Sequence, residues 1–240
     1  MFIRPAGLAL ALIATTPFTA IAQTRPATAV DAPESSRILT RDNAALILID
    51  HQPQTLFGIQ SHDRQTLINN TTALAKTAKA FKLPVVLTTV AADTFTGPIL
   101  PEIVAVFPDE PVIDRSSLNA WVDIEDEVRA TGRKKLIIAG MWTELCVTLP
   151  VLSAIADGYE VYVVTDASGS GSLEAHDMAI QRMVQAGATP VTWIGVLSEL
   201  QYDWSRQDTY AAVNRIAQEH GGAFGAGVNF VRAMRPPAGK

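Results

Sequence analysis

Five short runs of apolar, largely β-branched residues punctuate the chain: AALILID at 44–50, PVVLTTV at 84–90, KLIIAGM at 135–141, EVYVVTDA at 160–167 and TPVTWIGV at 189–196. They are nearly continuous rather than alternating. A strand with one face in water alternates polar and apolar residues, whereas a strand covered on both faces has no polar side to show. Between the runs lie helix-length segments. Residues 63–81 place Leu67, Leu74, Ala78 and Phe81 near helical spacing; segments 122–132, 151–158 and 174–187 end on Gly132, Gly158 and Gly187. Glycine is the usual residue just past a helix end. Strand and helix alternate, which predicts an α/β fold: a doubly wound, mainly parallel central sheet with helices on both faces.

The chain is 240 residues long, 48% hydrophobic and 18% charged, with a net charge of -5. That suits one domain with a large buried core and carries no basic footprint for nucleic acid. The first 22 residues read differently. A basic start at Arg4 precedes an apolar run that ends in Ala20-Ile21-Ala22, the pattern of a secretory signal cut after Ala22. The run is short for a membrane span and is broken by Pro17. Residues 23–37, rich in Pro, Ala, Ser and Thr, are expected to be a flexible leader, 38–220 the domain and 221–240 a Gly-rich, then basic, tail. The mature protein is therefore expected in the periplasm or outside the cell, with no membrane attachment. Its single cysteine, Cys146, excludes an internal disulfide.

In an open parallel sheet, ligands bind beyond the carboxyl ends of the strands. Asp50 ends the first run, Asp166 closes another, and Cys146 lies six residues past Gly140. A lone cysteine is more often packing than nucleophile, but this one is expected at a helix start. Free N–H groups and the dipole there favour thiolate and can hold an oxyanion. Pro150 fits that placement, because proline is tolerated in a first turn. An acid at a strand end is as often a loop or cap residue as a catalyst. His51, His62, His176 and His220 form no close ligand pair, so no metal and no cofactor is expected. The Gly/Ser-rich 167–172 lacks the lysine of a phosphate loop and reads as a tight strand-to-helix turn, with Asp166 structural.

The segments ALILIDHQ, KLPVVLTTV, SLNAWVDIEDEVRATGRKKLIIAGMWTELCVTLPVLSAIADGYEVYVVTDASG and RMVQAGATPVTWIGVLSELQYDW resemble the isochorismatase-like cysteine hydrolases, in particular their YcaC-type branch. The likeness spans roughly residues 38–220. It implies an Asp–Lys–Cys triad in which Asp50 is the acid–base group and Cys146 the nucleophile. Arg115 stands where the family has lysine. Arginine stays charged, so it can hold ionised partners but is a poor proton shuttle. The resemblance further implies a cis peptide between Met141 and Trp142, with the N–H groups of Trp142 and Cys146 forming an oxyanion hole. Asn119, Trp121 and Trp142 are pocket candidates or ordinary packing, and Phe57 is a weaker candidate. The metal-binding Asp-x-His pattern of nicotinamidase relatives is absent. Relatives form large rings, commonly octamers, which implies a homo-oligomer. Two readings of function follow: a cysteine hydrolase of small amides acting through a thioacyl intermediate, or a non-catalytic oligomeric protein binding a small molecule on the same fold.

Overall fold

The computed structural model describes residues 29–33 and 37–234. The expected signal, its cleavage site and residues 235–240 lie outside them. The chain runs β1 (Ala44–Ile49), α1 (Pro53–Phe57), α2 (Arg64–Phe81), β2 (Val85–Val90), α3 (Pro101–Val106), β3 (Val112–Arg115), α4 (Trp121–Ala130), β4 (Lys135–Gly140), α5 (Thr148–Ala156), β5 (Glu160–Val164), α6 (Leu173–Gln185), β6 (Thr189–Val191), α7 (Trp193–Gln201), α8 (Gln207–His220) and α9 (Ala223–Met234). The six strands form one parallel sheet in the order β3-β2-β1-β4-β5-β6.

Residues on one strand alternate between sheet faces, and the core divides accordingly. Leu46, Leu48, Leu87, Ile137 and Ala139 pack with Leu74, Ile103, Leu197 and Val213, so α2, α3, α7 and α8 cover that face. Ala45, Ile47, Ile49, Leu136 and Ile138 face the other way, against Ile124 of α4, Val151 of α5 and Met183 of α6. All six residues of β1 and all six of β4 are buried. That is the physical origin of their unbroken apolar runs.

One local expectation is corrected, and two elements join those read from the sequence. The run at 189–196 holds only the three-residue strand Thr189–Val191; Thr192 then accepts the Gly195 N–H on its side-chain oxygen and starts α7. N-capping of this kind supplies one of the donors' missing acceptors at a helix start. A sixth strand, β3, went unread because it is short, lies at the sheet edge and exposes Val112 and Asp114. Within the tail, 223–234 is helical. Gly225 lets α9 lie directly on α8, where a Cβ would stand 2.5 Å from the Ala217 carbonyl oxygen.

Candidate active site

The strand order reverses between β1 and β4, which leave toward opposite edges of the sheet. At such a switch point the connections diverge and open a crevice beyond the strand ends. Asp50 follows β1 directly. Cys146 sits in a single π-helical turn, Thr143–Val147, that leads from β4 into α5. Pro150 is the third residue of α5, and its missing N–H leaves the Cys146 carbonyl, four residues back, without a helical donor where the π-turn passes into α5. Arg115 is the last residue of β3. That strand lies two places from β1, about 10 Å at ordinary strand spacing. Only a long side chain spans that gap, and the guanidinium does so. Its Nη2 donates to both Asp50 carboxylate oxygens, at 2.8 and 2.7 Å, while Nη1 donates to the Ser117 carbonyl. Asp50 is 0% exposed, and Arg115 and Cys146 are each 5% exposed.

The backbone is unusual at this rim. Asp50, Ala91 and Trp142 follow β1, β2 and β4, and each has a left-handed φ (56, 47 and 57°). Non-glycine residues avoid that region, and such outliers gather where surrounding structure holds a functional geometry. A second π-turn, Ala92–Thr96, follows Ala91; isolated π-turns favour functional sites in the same way. Asp50 is fixed from both sides: its N–H donates to the Thr88 carbonyl, and its carbonyl accepts from the Gln52 N–H at 2.8 Å and the Thr55 hydroxyl at 2.6 Å.

Burial governs the protonation of the pair. It lifts the Asp50 carboxyl above its ordinary 3.8, against the pull of Arg115. It also pushes the Cys146 thiol up to about 12, with the neighbouring Asp50 charge adding to the effect and Arg115 opposing it. Both causes work against a thiolate at the helix start. Desolvation and the carboxylate outweigh the dipole, because the partial charge at a helix end is smaller than a full negative charge close by.

The isochorismatase domain model matches residues 44–194, more than half the chain. The chain belongs to the isochorismatase family. It is 46% identical over 170 residues to the probable hydrolase YcaC of Escherichia coli, covering 69% of this chain and 81% of that protein. A crystal structure of E. coli YcaC, described as an octameric hydrolase of unknown specificity, superposes with a TM-score of 0.80 at 39% identity. The superposition covers 85% of this chain and all of that one. YcaC from Pseudomonas aeruginosa, solved with hexane-2,5-diol and covalent acrylamide, gives a TM-score of 0.77 at 38% identity, covering 82% and 96%.

In this member of the isochorismatase family, all peptide bonds among the described residues are trans, so the expected cis bond at Met141–Trp142 is corrected. The turn is made instead by the left-handed Trp142. Its carbonyl accepts the N–H groups of Leu145 and Cys146, at 2.9 and 3.0 Å, while its own N–H is directed at the Gly169 carbonyl in the parallel bridge between Met141 and Gly169. Both expected oxyanion donors are therefore engaged with main-chain carbonyls, Trp142 with Gly169 and Cys146 with Trp142. Asn119 is spent elsewhere: its carboxamide donates to Ser153 of α5 and accepts the Trp121 N–H. Trp121 is 4% exposed, its indole N–H on Asp157, the residue that ends α5. Its indole is thus held at the opposite end of that helix from Cys146. Phe57 is 75% exposed beside the site-facing Gly58, and Asp166 accepts the Trp193 N–H at the start of α7.

Sequence reasoning missed the groups that brace the site. Gln52 is fully buried. Its amide nitrogen donates to Thr96, Gly97 and Val90, and its amide oxygen accepts the Val90 N–H. It thereby locks the start of α1 to the turn after β2. On the far side, the Thr143 hydroxyl pairs with His176 Nδ1 at 2.9 Å, and Thr148 donates to the Thr143 carbonyl at 2.6 Å. The Ser168 hydroxyl accepts the Gly140 N–H, and the Ser170 hydroxyl donates to Glu144. A buried Gln two residues past an acid is a readable signal in retrospect; the Thr143–His176 pair, 33 residues apart, is not. Among the described residues no group of three or more His, Cys, Asp or Glu is set to hold a metal.

Proposed function

We propose that this protein is a cysteine-dependent hydrolase of small amides. One observation carries the reading: a thiol, a carboxylate and a guanidinium, drawn from positions 146, 50 and 115, meet in a buried cluster at the sheet's switch point. As Cys146 Sγ attacks the amide carbon, its proton passes to Asp50, whose raised basicity suits it to the task. The developing oxyanion draws the Trp142 N–H away from the Gly169 carbonyl that it faces at rest. The C–N bond breaks as Asp50 returns the proton to the leaving nitrogen, giving an amine or ammonia and a thioester on Cys146. Water then attacks the thioester, losing a proton to Asp50, and the acid departs as the thiol regains its hydrogen. Arg115 moves no proton; it fixes the carboxylate and supplies a constant positive charge.

The protonated resting thiol supports a nucleophile made during attack rather than stored as thiolate. The covalent acrylamide in the P. aeruginosa relative, an electrophile that thiols take up, supports an accessible nucleophile on this fold. The octameric E. coli relative supports a homo-oligomer, and the N-terminal signal pattern supports export. Purified mature protein starting at Gln23 would match that export.

A panel of small neutral amides, incubated with the parent, Cys146→Ala and Asp50→Asn, tests the reading. Expected are turnover by the parent alone and an acyl adduct on Cys146 by mass spectrometry. Turnover that survives Cys146→Ala removes the covalent mechanism. Tight binding of an amide without turnover selects the non-catalytic reading.

A further inference from the structure

Trp142 stands where β4 hands the chain to the turn that bears Cys146. Its φ and ψ of 57 and 65° lie in the left-handed region, so something outside the residue must hold it there. The indole shows what does. A Cβ on Gly58 would lie 2.7 Å from the indole Cζ2, and one on Gly171 would lie 3.4 Å from Cζ3. The ring therefore rests against two glycines on two different loops. Those loops are joined to each other: the Gln60 and Ser61 N–H groups donate to the Ser170 carbonyl at 2.9 and 3.1 Å, and the Ser170 N–H donates to Ser61 Oγ at 2.9 Å. Gly58 has φ −73° and ψ −13°, a conformation any residue adopts. Gly171 also lies outside the left-handed range. Space beside the indole, rather than backbone freedom, is what glycine supplies at both positions.

The consequence reaches the nucleophile through the main chain. The Trp142 carbonyl receives the N–H groups of Leu145 and Cys146, so rotating the Trp142 peptide displaces the whole turn. We infer that Trp142 is a positioning residue, its indole seated in a slot made by Gly58 and Gly171 that sets the left-handed kink and, through it, the placement of the Cys146 thiol. The inference rests on reading Cys146 as the working group, and it extends the site to two glycines distant in sequence.

Cys146 is the only cysteine in the chain, so iodoacetamide labelling of the full-length protein reports on one sulfur. The rate is measured from pH 7 to 10 for the parent, Gly58→Ala, Trp142→Phe and the double variant, with thermal unfolding alongside. Gly58→Ala is expected to change the rate at least fivefold and alter the rate–pH profile while Tm moves by only a few degrees. Phenylalanine removes Cζ2, so the double variant is expected within twofold of Trp142→Phe. A Gly58→Ala rate within twofold of the parent at every pH overturns the inference, as does an equal effect in the Trp142→Phe background. If Gly58→Ala does not fold, Gly171→Ala, with its milder contact, takes its place in the same cycle, with a twofold change as the threshold. Labelling requires no turnover. A parent that labels as expected but hydrolyses no amide sinks the functional reading and leaves this one standing.

Discussion

Arg115 holds Asp50 through a single nitrogen: Nη2 lies 2.8 Å from one carboxylate oxygen and 2.7 Å from the other, and both side chains are wholly withdrawn from solvent. The pair is neutral as a unit. Burying it is tolerable only while both members are present, because a lone buried charge keeps its desolvation cost and loses its counter-charge. Arg115→Met is therefore expected to destabilise the protein by about 3–5 kcal/mol in urea denaturation at pH 7. Asp50→Asn combined with Arg115→Met should recover part of that loss. Additive losses in the double variant would show that the two residues act on stability separately.

The placement of the thiol gives a prediction opposite in sign to that for a helix-end thiolate. With the Cys146 thiol pushed up to about 12 by burial and by Asp50, alkylation between pH 7 and 9 should be slower than that of a free cysteine. It should rise about tenfold per pH unit without levelling, because the thiolate is a small fraction throughout. Asp50→Asn removes the negative charge and leaves the Arg115 cation, so the thiol should acidify and label at least about tenfold faster at pH 8. A plateau below pH 8 in the parent would sink this account.

How much of this was legible in the sequence depended on which residues report their own environment. β1, β2, β4 and β5 could be read because their side chains are buried on both faces or nearly so, which leaves a continuous apolar signal. β3 could not, because an edge strand with Val112 and Asp114 exposed has no such signal. The β-branched TPVTWIGV disguised a helix start, since Thr192 serves as a cap and Trp193 and Val196 are buried on a helix face. Asp50 and Cys146 stand out as candidates in the sequence because strand ends of a parallel sheet converge on one rim. Trp121 was placed with them on type alone, and it packs at the far end of α5. The protonation state was unreadable for a physical reason: it is set by desolvation and a neighbouring charge, and neither exists before the chain folds.

Buried histidines link stability to mild acid, His51 and His176 most strongly. His51 and His176 are 1% and 4% exposed, and burial, the largest cause for each, lowers both to about 4 from the ordinary 6.5. Above pH 6.5 both are neutral in either state, and they contribute no pH dependence. As pH falls from 6.5 toward 4, the unfolded chain takes up protons that the folded protein refuses, so stability is lost across that window. Each histidine should account for on the order of 2 kcal/mol by pH 4.5. Asp63, whose carboxyl the Thr66 N–H holds below 3.8, acts only at lower pH. His62 and His220, also lowered by burial, add to the loss, while the raised Asp50 and Asp166 carboxyls offset part of it. Chemical denaturation at pH 7 and pH 4.5 measures the net change, and His176→Asn should shift it by on the order of 2 kcal/mol toward smaller loss. A net change that His176→Asn leaves unaltered would show that the buried ring admits protons freely.

Gln52 offers a test of the brace beneath Asp50 that changes hardly any volume. Its amide nitrogen faces three acceptors: Thr96 Oγ1 at 2.5 Å, the Gly97 carbonyl at 2.6 Å and the Val90 carbonyl at 3.3 Å. Thr96 Oγ1 cannot easily reverse its role, because its hydrogen is already given to the Val90 carbonyl. Gln52→Glu replaces that nitrogen with an oxygen and sets a carboxylate against carbonyl lone pairs in a fully buried place. The variant is expected to lose about 3 kcal/mol or more at pH 7, where the new side chain must either stay charged or take up a proton against its ordinary pKa. Acidification should narrow the gap to the parent. The protonated acid has one O–H to donate, so its folded pKa lies above the unfolded 4.3, and its stability relative to pH 7 returns as pH falls through that raised value. Denaturation midpoints of parent and variant, compared at pH 7 and pH 5, decide it. A gap that stays constant or widens on acidification would show that the Gln52 amide nitrogen is not held by those three acceptors.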